Sequence, residues 1–271
     1  MKMTEAARPA PGERRFGRVN WLGLWTLYAR EVRRFAKVWG QTVLAPIATA
    51  ALFLAVFHFA LADRRGEVMG TPFESFLAPG VLMMAVVQNA FANTSSSMLI
   101  AKVQGNIVDT LMPPLSAAEL LIGYVLGGAT RGVAVAVAIG VPMFLLLGVP
   151  VTSWGWAAGF VTLAALALAL AGLIVGLWCQ KFDQMATITN FVVTPLAFLS
   201  GTFYSVSDLP LGFWAVSHVN PVFYFIDGFR FGTLGVSDGS PWLALAFGLA
   251  VTGGLGWKAY QMLRDGVGLK A

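Results

Sequence analysis

Residues Lys102–Leu120 read KVQGNIVDTLMPPLSAAEL, a polar island between two apolar runs each long enough to cross a bilayer. A stretch so placed lies outside the hydrocarbon. Gly105-Asn106 opens a short helix in which Ile107, Val108, Leu111 and Met112 share one face and Asn106, Asp109 and Thr110 the other. Pro113-Pro114 stops it, because proline has no N–H and disfavours helical geometry in the residue before it. Ser116-Ala117-Ala118-Glu119 has the form of a capping box, which restarts a helix that runs into the next span. Two readings are open here: a rigid amphipathic helix that transmits force from a soluble partner, or a well-formed connecting loop.

Composition sets the class. Charged residues are 11% and hydrophobic ones 57%, against about 25% charged in a soluble domain. Mean hydropathy is +0.73. The chain is therefore an all-α polytopic membrane protein. Its formal net charge of +5 does not point to nucleic acid, since 9 of 18 Lys and Arg residues fall in the first 37 positions. A basic tail beside a span is a topology signal and an attraction to anionic lipid. Residues 1–20 have charge without an apolar core, which predicts a disordered cytoplasmic tail and no cleavable signal peptide. The lone Cys179 excludes an internal disulfide and is read as a small packing residue.

In residues 21–39, Trp21, Leu24, Trp25, Tyr28, Val32, Phe35 and Trp39 recur at helical spacing, with Arg30, Arg33, Arg34 and Lys37 mostly opposite. That pattern predicts an amphipathic helix lying in the membrane interface. The body of the chain, 40–268, then divides into six apolar runs at 42–61, 76–101, 121–147, 156–179, 185–204 and 242–263. Gly123/Gly127, Gly155/Gly159 and Gly172/Gly176 have the spacing that lets helix backbones approach. Pro46, Pro142 and Pro195 are expected to kink their helices.

With the N-terminus inside, the cytoplasmic segments hold fourteen bases: nine in the first 41 residues, with Lys102, Lys181, Lys258, Arg264 and Lys270. The outer segments hold three, Arg64, Arg65 and Arg230. This bias places both termini and the island in the cytoplasm. Residues 205–240, outside, contain two apolar stretches too short to span. Asp208 is expected to cap the first, 209–218, with Pro210 in its opening turn. Asn220-Pro221 breaks it, and 222–233 forms a second helix with Asp227 and Arg230 as an i, i+3 pair. Such re-entrant or interfacial helices could cap a pathway between subunits, or form a platform with no gating role; both remain open.

Several chemistries find no support. No G-x-x-x-x-G-K-[ST] is present, and Gly253-Gly254-Leu255-Gly256-Trp257-Lys258 has the wrong spacing and lies within a span, so the chain binds no nucleotide by a P-loop. His58 and His218 are too few and too far apart for a metal site. Protease and hydrolase motifs are absent. No span has a carboxylate near its middle, which argues against an ion-coupled carrier. Within the spans, Gln88, Asn89, Asn93, Ser96 and Ser97 form a polar stripe on the second helix, and Arg131 lies about ten residues into the third. They either line an inward-facing cavity or make interhelical hydrogen bonds while Arg131 snorkels to the inner surface.

Six runs with a cytoplasmic island after the second and two short outer helices before the sixth resemble the ABC-2 family of export permeases. The wording matches as well. Phe198-Leu-Ser-Gly-Thr-Phe-Tyr-Ser-Val-Ser-Asp-Leu-Pro210 followed by His218-Val-Asn-Pro-Val-Phe-Tyr-Phe-Ile-Asp-Gly-Phe-Arg230 looks like the family's signature segment. Phe76-Leu-Ala-Pro-Gly-Val-Leu-Met-Met84, the Asn89–Ser97 stripe and Gly123-Tyr-Val-Leu-Gly-Gly128 are similar too. The resemblance covers about residues 25–268 and is nearest the compact YadH-type members.

It implies a half-transporter in the bacterial inner membrane, in which two copies form the pathway and two copies of a separate ATPase subunit dock from the cytoplasm. Mg-ATP would be held by that partner, and this chain would bind no cofactor. Gln104, Asn106, Asp109, Thr110, Met112, Pro113 and Pro114 would form the coupling helix region. Trp21, Trp25, Arg30, Arg33 and Arg34 would belong to the interfacial helix beside it. Asn89, Asn93, Ser97 and Arg131 would line the pathway, and Pro210, Asn220, Pro221, Asp227 and Arg230 would shape the outer helices. Family cargoes range over polysaccharides, glycolipids, lipids and drugs. The competing reading is a membrane scaffold or sensor that recruits an ATPase without moving cargo.

Overall fold

The structure, a computed structural model, describes residues 19–61 and 66–269. The expected disordered tail therefore lies outside the described residues except for its last two positions, as do Arg64, Arg65 and Lys270 of the topology count. The chain is built from helices α1 (Trp21–Ala36), α2 (Ala45–Leu61), α3 (Phe73–Val103), α4 (Ile107–Leu111), α5 (Ala117–Leu146), α6 (Trp154–Trp178), α7 (Phe182–Ile188), α8 (Thr194–Phe198), α9 (Leu211–Val219), α10 (Pro221–Leu234) and α11 (Pro241–Arg264). A minimal antiparallel hairpin, β1 (Glu67–Val68) and β2 (Thr71–Pro72), joins α2 to α3. Met69 and Gly70 take φ of 54° and 74° at its two-residue turn, as right-handed strand twist favours.

Four helices among the described residues are long and apolar enough to cross a membrane: Gly40–Phe59, α3, α5 and α6. The fifth expected run differs. It is helical from 182 to 198 only, and it ends where Gly201 takes φ of 71°, so the residues up to 204 are a turn. The sixth, α11, has the length but carries Lys258 and Arg264 towards its end.

Two helices begin with a π-helical turn, Gly40–Leu44 before α2 and Thr189–Val193 between α7 and α8. Each precedes a proline, Pro46 or Pro195. A proline ring presses on the carbonyl four residues back and supplies no N–H. Widening the turn relieves the clash, and the next amide bonds five residues back, Ala45 to Gly40 and Thr194 to Thr189.

The core is α3 laid against α6, with 78% and 72% of their spanning windows buried, whereas only 11% of the Gly40–Phe59 window is. Glycine makes the contact close. A Cβ on Gly172 would sit 2.4 Å from both the Phe91 carbonyl and Thr94 Oγ1, and one on Gly176 2.8 Å from Met98 Cβ. Thr94 Oγ1 donates to the Ala169 carbonyl at 2.7 Å, so a hydrogen bond also crosses this seam. Gly155 and Gly159, with the same spacing, face open space. Gly172→Ala is accordingly expected to cost about 1–3 kcal/mol through overpacking against backbone, while Gly155→Ala changes stability by less than about 0.5 kcal/mol. Paired thermal unfolding of the two variants in detergent checks this.

Candidate functional site

The pole that carries the island is knotted together by one carboxylate. Glu119 is 7% exposed, and the expected capping box is present: Glu119 Oε2 accepts from Ser116 N at 2.6 Å and Ser116 Oγ at 2.8 Å, while Ser116 Oγ accepts from Glu119 N. The other oxygen, Oε1, accepts from the backbone N–H of Asn20 at 2.5 Å. Asn20 caps α1 by accepting from Gly23 N at 2.9 Å, and its amide donates to the Pro114 carbonyl at 3.3 Å. One side chain thus joins the start of α1, the end of the island and the start of α5.

α1 lies on α5 through the first glycine pair. A Cβ on Gly123 would meet Leu27 at 2.6 Å and one on Gly127 would meet Glu31 Cβ at 2.5 Å. The pair therefore seats α1 instead of joining two spans. Leu27, Glu31 and Phe35 are the buried face of α1, and Trp21 and Trp25 are 72% and 64% exposed. Arg33 is exposed too, but Arg30 and Arg34 do not simply follow the polar side as expected from spacing. Buried Glu31 holds both, each at 3.4 Å. From there Arg30 donates to Thr110 Oγ1 at 2.8 Å and Tyr124 OH at 3.0 Å, and Arg34 to the backbone and side-chain oxygens of Asn93 at 2.7 and 2.8 Å. Glu31, which spacing alone did not single out, is the buried carboxylate that pairs with both arginines.

Within the island, the expected sharing of one face by Ile107, Val108, Leu111 and Met112 is corrected. Ile107 and Thr110 are buried, whereas Val108, Leu111 and Met112 are exposed beside Asp109. Three residues separate Ile107 from Thr110, so they share the side facing the protein, and Arg30 gives the Thr110 hydroxyl a partner there. Gln104, Asn106, Pro113 and Pro114 are exposed. The result is an outward apolar knuckle with one carboxylate, beside a groove of about 370 Å³ lined by Asp109, Pro113, Pro114, Leu22, Thr26 and Arg30 among others. Lys102 anchors the near side by donating to the carbonyls of Leu177 and Cys179 at 2.7 and 2.5 Å, which caps α6.

The polar stripe divides. Asn89 accepts from Arg131 Nη2 at 3.0 Å. Asn93 and Ser97 are buried, with Asn93 turned to Arg34.

The two short helices expected outside, α9 and α10, also differ from expectation in two places. Asp208 closes a 3₁₀ turn, Val206–Asp208, and caps nothing; α9 starts after Pro210, which offers no side-chain bond. Asn220 does cap α10, accepting from Val222 N at 3.0 Å, and Pro221 is its first residue. Asp227 and Arg230 form no direct pair. Asp227 accepts the backbone amides of Asp238 and Gly239 at 2.7 and 3.1 Å, and Arg230 lies 3.7 Å from Asp238 instead. Arg230 is fully buried, donates to the Gly201 carbonyl at 2.7 Å and covers the Phe76 ring at 3.9 Å. Burial pushes the Asp227 carboxyl up to about 6, against the opposing pull of the Asp238 amide and the Arg230 charge. Glycine again permits the packing: a Cβ on Gly228 would strike Phe160 at 2.3 Å and one on Gly232 the Ala157 nitrogen at 2.5 Å.

The family model for ABC-2 type transporters matches residues 23–234, from the first turn of α1 through the island to the end of α10. The inner membrane transport permease YadH of Escherichia coli K12 is 37% identical over 218 residues, covering 80% of this chain and 85% of that protein. Nodulation protein J of Rhizobium leguminosarum bv. viciae is 25% identical over 225 residues, covering 81% and 84%, and that of Rhizobium meliloti 26% over 230, covering 84% of each. With most of its length matched, the chain belongs to the ABC-2 type transporter family.

Proposed function

We propose that this chain is the permease subunit of an ATP-driven exporter in the bacterial inner membrane. It works as a homodimer with two copies of a cytoplasmic ATPase that hold Mg-ATP, and its cargo is amphipathic, lipid-like, glycan or drug in type. In this reading the four long helices, the 182–198 helix and α11 make six crossings, both termini are cytoplasmic, and α9 and α10 re-enter from outside. The observation that carries the proposal is the junction at Glu119, where α1, the island and α5 share one buried carboxylate. A push on the knuckle of Val108, Leu111 and Met112 would be delivered to two helices at once and not absorbed by a loop. The inner-membrane permease named among the relatives supports the location. The sparsely covered α2, with Leu52, Val56 and Phe59 exposed, leaves an apolar face for a second copy or lipid.

The test is co-purification from the native membrane in nanodiscs. The wild-type chain is expected to recover an ATPase subunit at about one to one, and Asp109→Arg combined with Met112→Glu to reduce recovery more than about tenfold, since a buried like charge or unpaired carboxylate at an interface costs at least 1.4 kcal/mol. Recovery of the chain without any ATPase would sink the proposal. Recovery with ATP turnover indifferent to every membrane-extracted compound would favour the scaffold reading.

A further inference from the structure

Between the start of the first span and α3 lies a cavity of about 240 Å³, lined by Gln41, Thr49 and Phe53 on one side and Met84, Gln88 and Asn89 on the other, among further small apolar residues. Every lining side chain is uncharged. Among the described residues the side chains of Gln41, Thr49 and Gln88 make no hydrogen bond. Asn89 is held in place: its amide donates to the Ala85 carbonyl at 3.0 Å and its oxygen accepts from Arg131. The arginine reaches it from α5, so the charge stands behind Asn89 and outside the lining.

Polar side chains at membrane depth are costly unless something answers them. Two carboxamides and a hydroxyl offer both donors and acceptors but no charge. A sugar hydroxyl or an amide can satisfy both kinds. A phosphate or an ammonium would find no charged group in the lining, and the Arg131 guanidinium behind Asn89 is engaged by the Asn89 oxygen. The remaining wall, including Ala45, Pro46, Ala50 and Phe53, is apolar and opens along the first span, where a hydrocarbon chain could lie. The volume is below the about 300–1,000 Å³ usual for drug-sized pockets, which suits one headgroup and not a polymer.

We infer that this cavity receives the uncharged, hydroxyl- or amide-bearing headgroup of an amphipathic molecule, with Gln41, Thr49 and Gln88 as its hydrogen-bonding groups and Arg131 as the residue that positions Asn89. The inference rests on the exporter reading and specifies its cargo class.

Native mass spectrometry of the full chain tests it, with glucosyl-diacylglycerol as the neutral probe, phosphatidylglycerol as the anionic one and phosphatidylcholine as the zwitterionic one. The neutral lipid is expected to bind at least tenfold more tightly than either. Thr49→Val, which keeps the side-chain shape, and Gln88→Leu are each expected to weaken it about tenfold without changing phosphatidylglycerol binding. Equal or tighter binding of phosphatidylglycerol overturns the inference, as does wild-type affinity for the neutral lipid in both variants. So does a change in dimer dissociation with lipid affinity intact, which would mean that a second copy covers the cavity. ATPase recovery is followed on the same preparations. Lost lipid preference with the ATPase present overturns the cavity assignment alone; a missing ATPase with preference intact overturns the exporter reading alone.

Discussion

Arg230→Met is expected to destabilise the purified protein by about 3 kcal/mol, at the lower end of the about 3–5 kcal/mol seen when one member of a buried ion pair is removed. Both side chains of the pair are almost fully enclosed, Arg230 at 0% and Asp238 at 1%. The substitution leaves Asp238 charged and deprives the Gly201 carbonyl of its donor. Asp238 keeps the hydroxyls of Ser205 and Ser207 and the Ser207 amide, which is why the lower figure applies. Arg230→Lys should recover little, because an ammonium offers no planar face to Phe76 and a different reach. Adding Asp238→Asn to Arg230→Met should restore about half of the loss by removing the stranded charge. Thermal unfolding of the three variants in one detergent measures all of this. A double variant no better than Arg230→Met would show that the arginine acts by packing and not by charge.

Glu119→Ala comes next, with an expected loss of about 2 kcal/mol, within the about 1.5–3 kcal/mol of hydrogen bonds to a charged group. The distinguishing consequence is mechanical. Without Oε1 the Asn20 amide loses its link to α5, and α1 is left with Leu27, Phe35, the Glu31 cluster, the Tyr28–Thr130 hydrogen bond and the Asn20 side chain on the Pro114 carbonyl. Glu119→Gln keeps one acceptor and should retain most of the stability. In a reconstituted complex, Glu119→Ala should hydrolyse ATP while transport falls several-fold. Equal falls in both rates in Glu119→Ala and Glu119→Gln would argue that the carboxylate has no part in coupling.

Local signals made the island and its junction legible and left the partners hidden. Pro113-Pro114 and Ser116–Glu119 located the break and the capping box, because both act within four residues. The second oxygen of Glu119 was not legible, since its donor is 99 positions away. Asp238 takes Arg230 from the nearer Asp227, whereas Glu31 was missed although it is local, next to Arg30 and three positions from Arg34. On Pro221–Leu234 the i, i+3 spacing of Asp227 and Arg230 was correct. Backbone amides at 238 and 239 claimed the carboxylate first. Glycine spacing gave three pairs with one meaning, and packing gave them three: Gly172/Gly176 join α3 to α6, Gly123/Gly127 seat α1, and Gly155/Gly159 touch nothing.

The widened turns before Pro46 and Pro195 divide the molecule by stiffness. α3, α5 and α6 meet at glycine contacts where no side chain fits, Gly128 against Thr94 and Ala169 as well as Gly172 against Phe91. The Gly40–Leu61 and 182–198 helices each contain a stretch whose hydrogen bonds already run five residues back, and returning one of them to the ordinary four-residue pitch shifts the register by a single residue without breaking the rest. Compliance is thereby concentrated in two rods beside a stator. A helix that can be rewound by one residue is both a hinge and a clutch, and in this chain both such rods contact the cluster of Phe53, Phe57, Phe198 and Phe203.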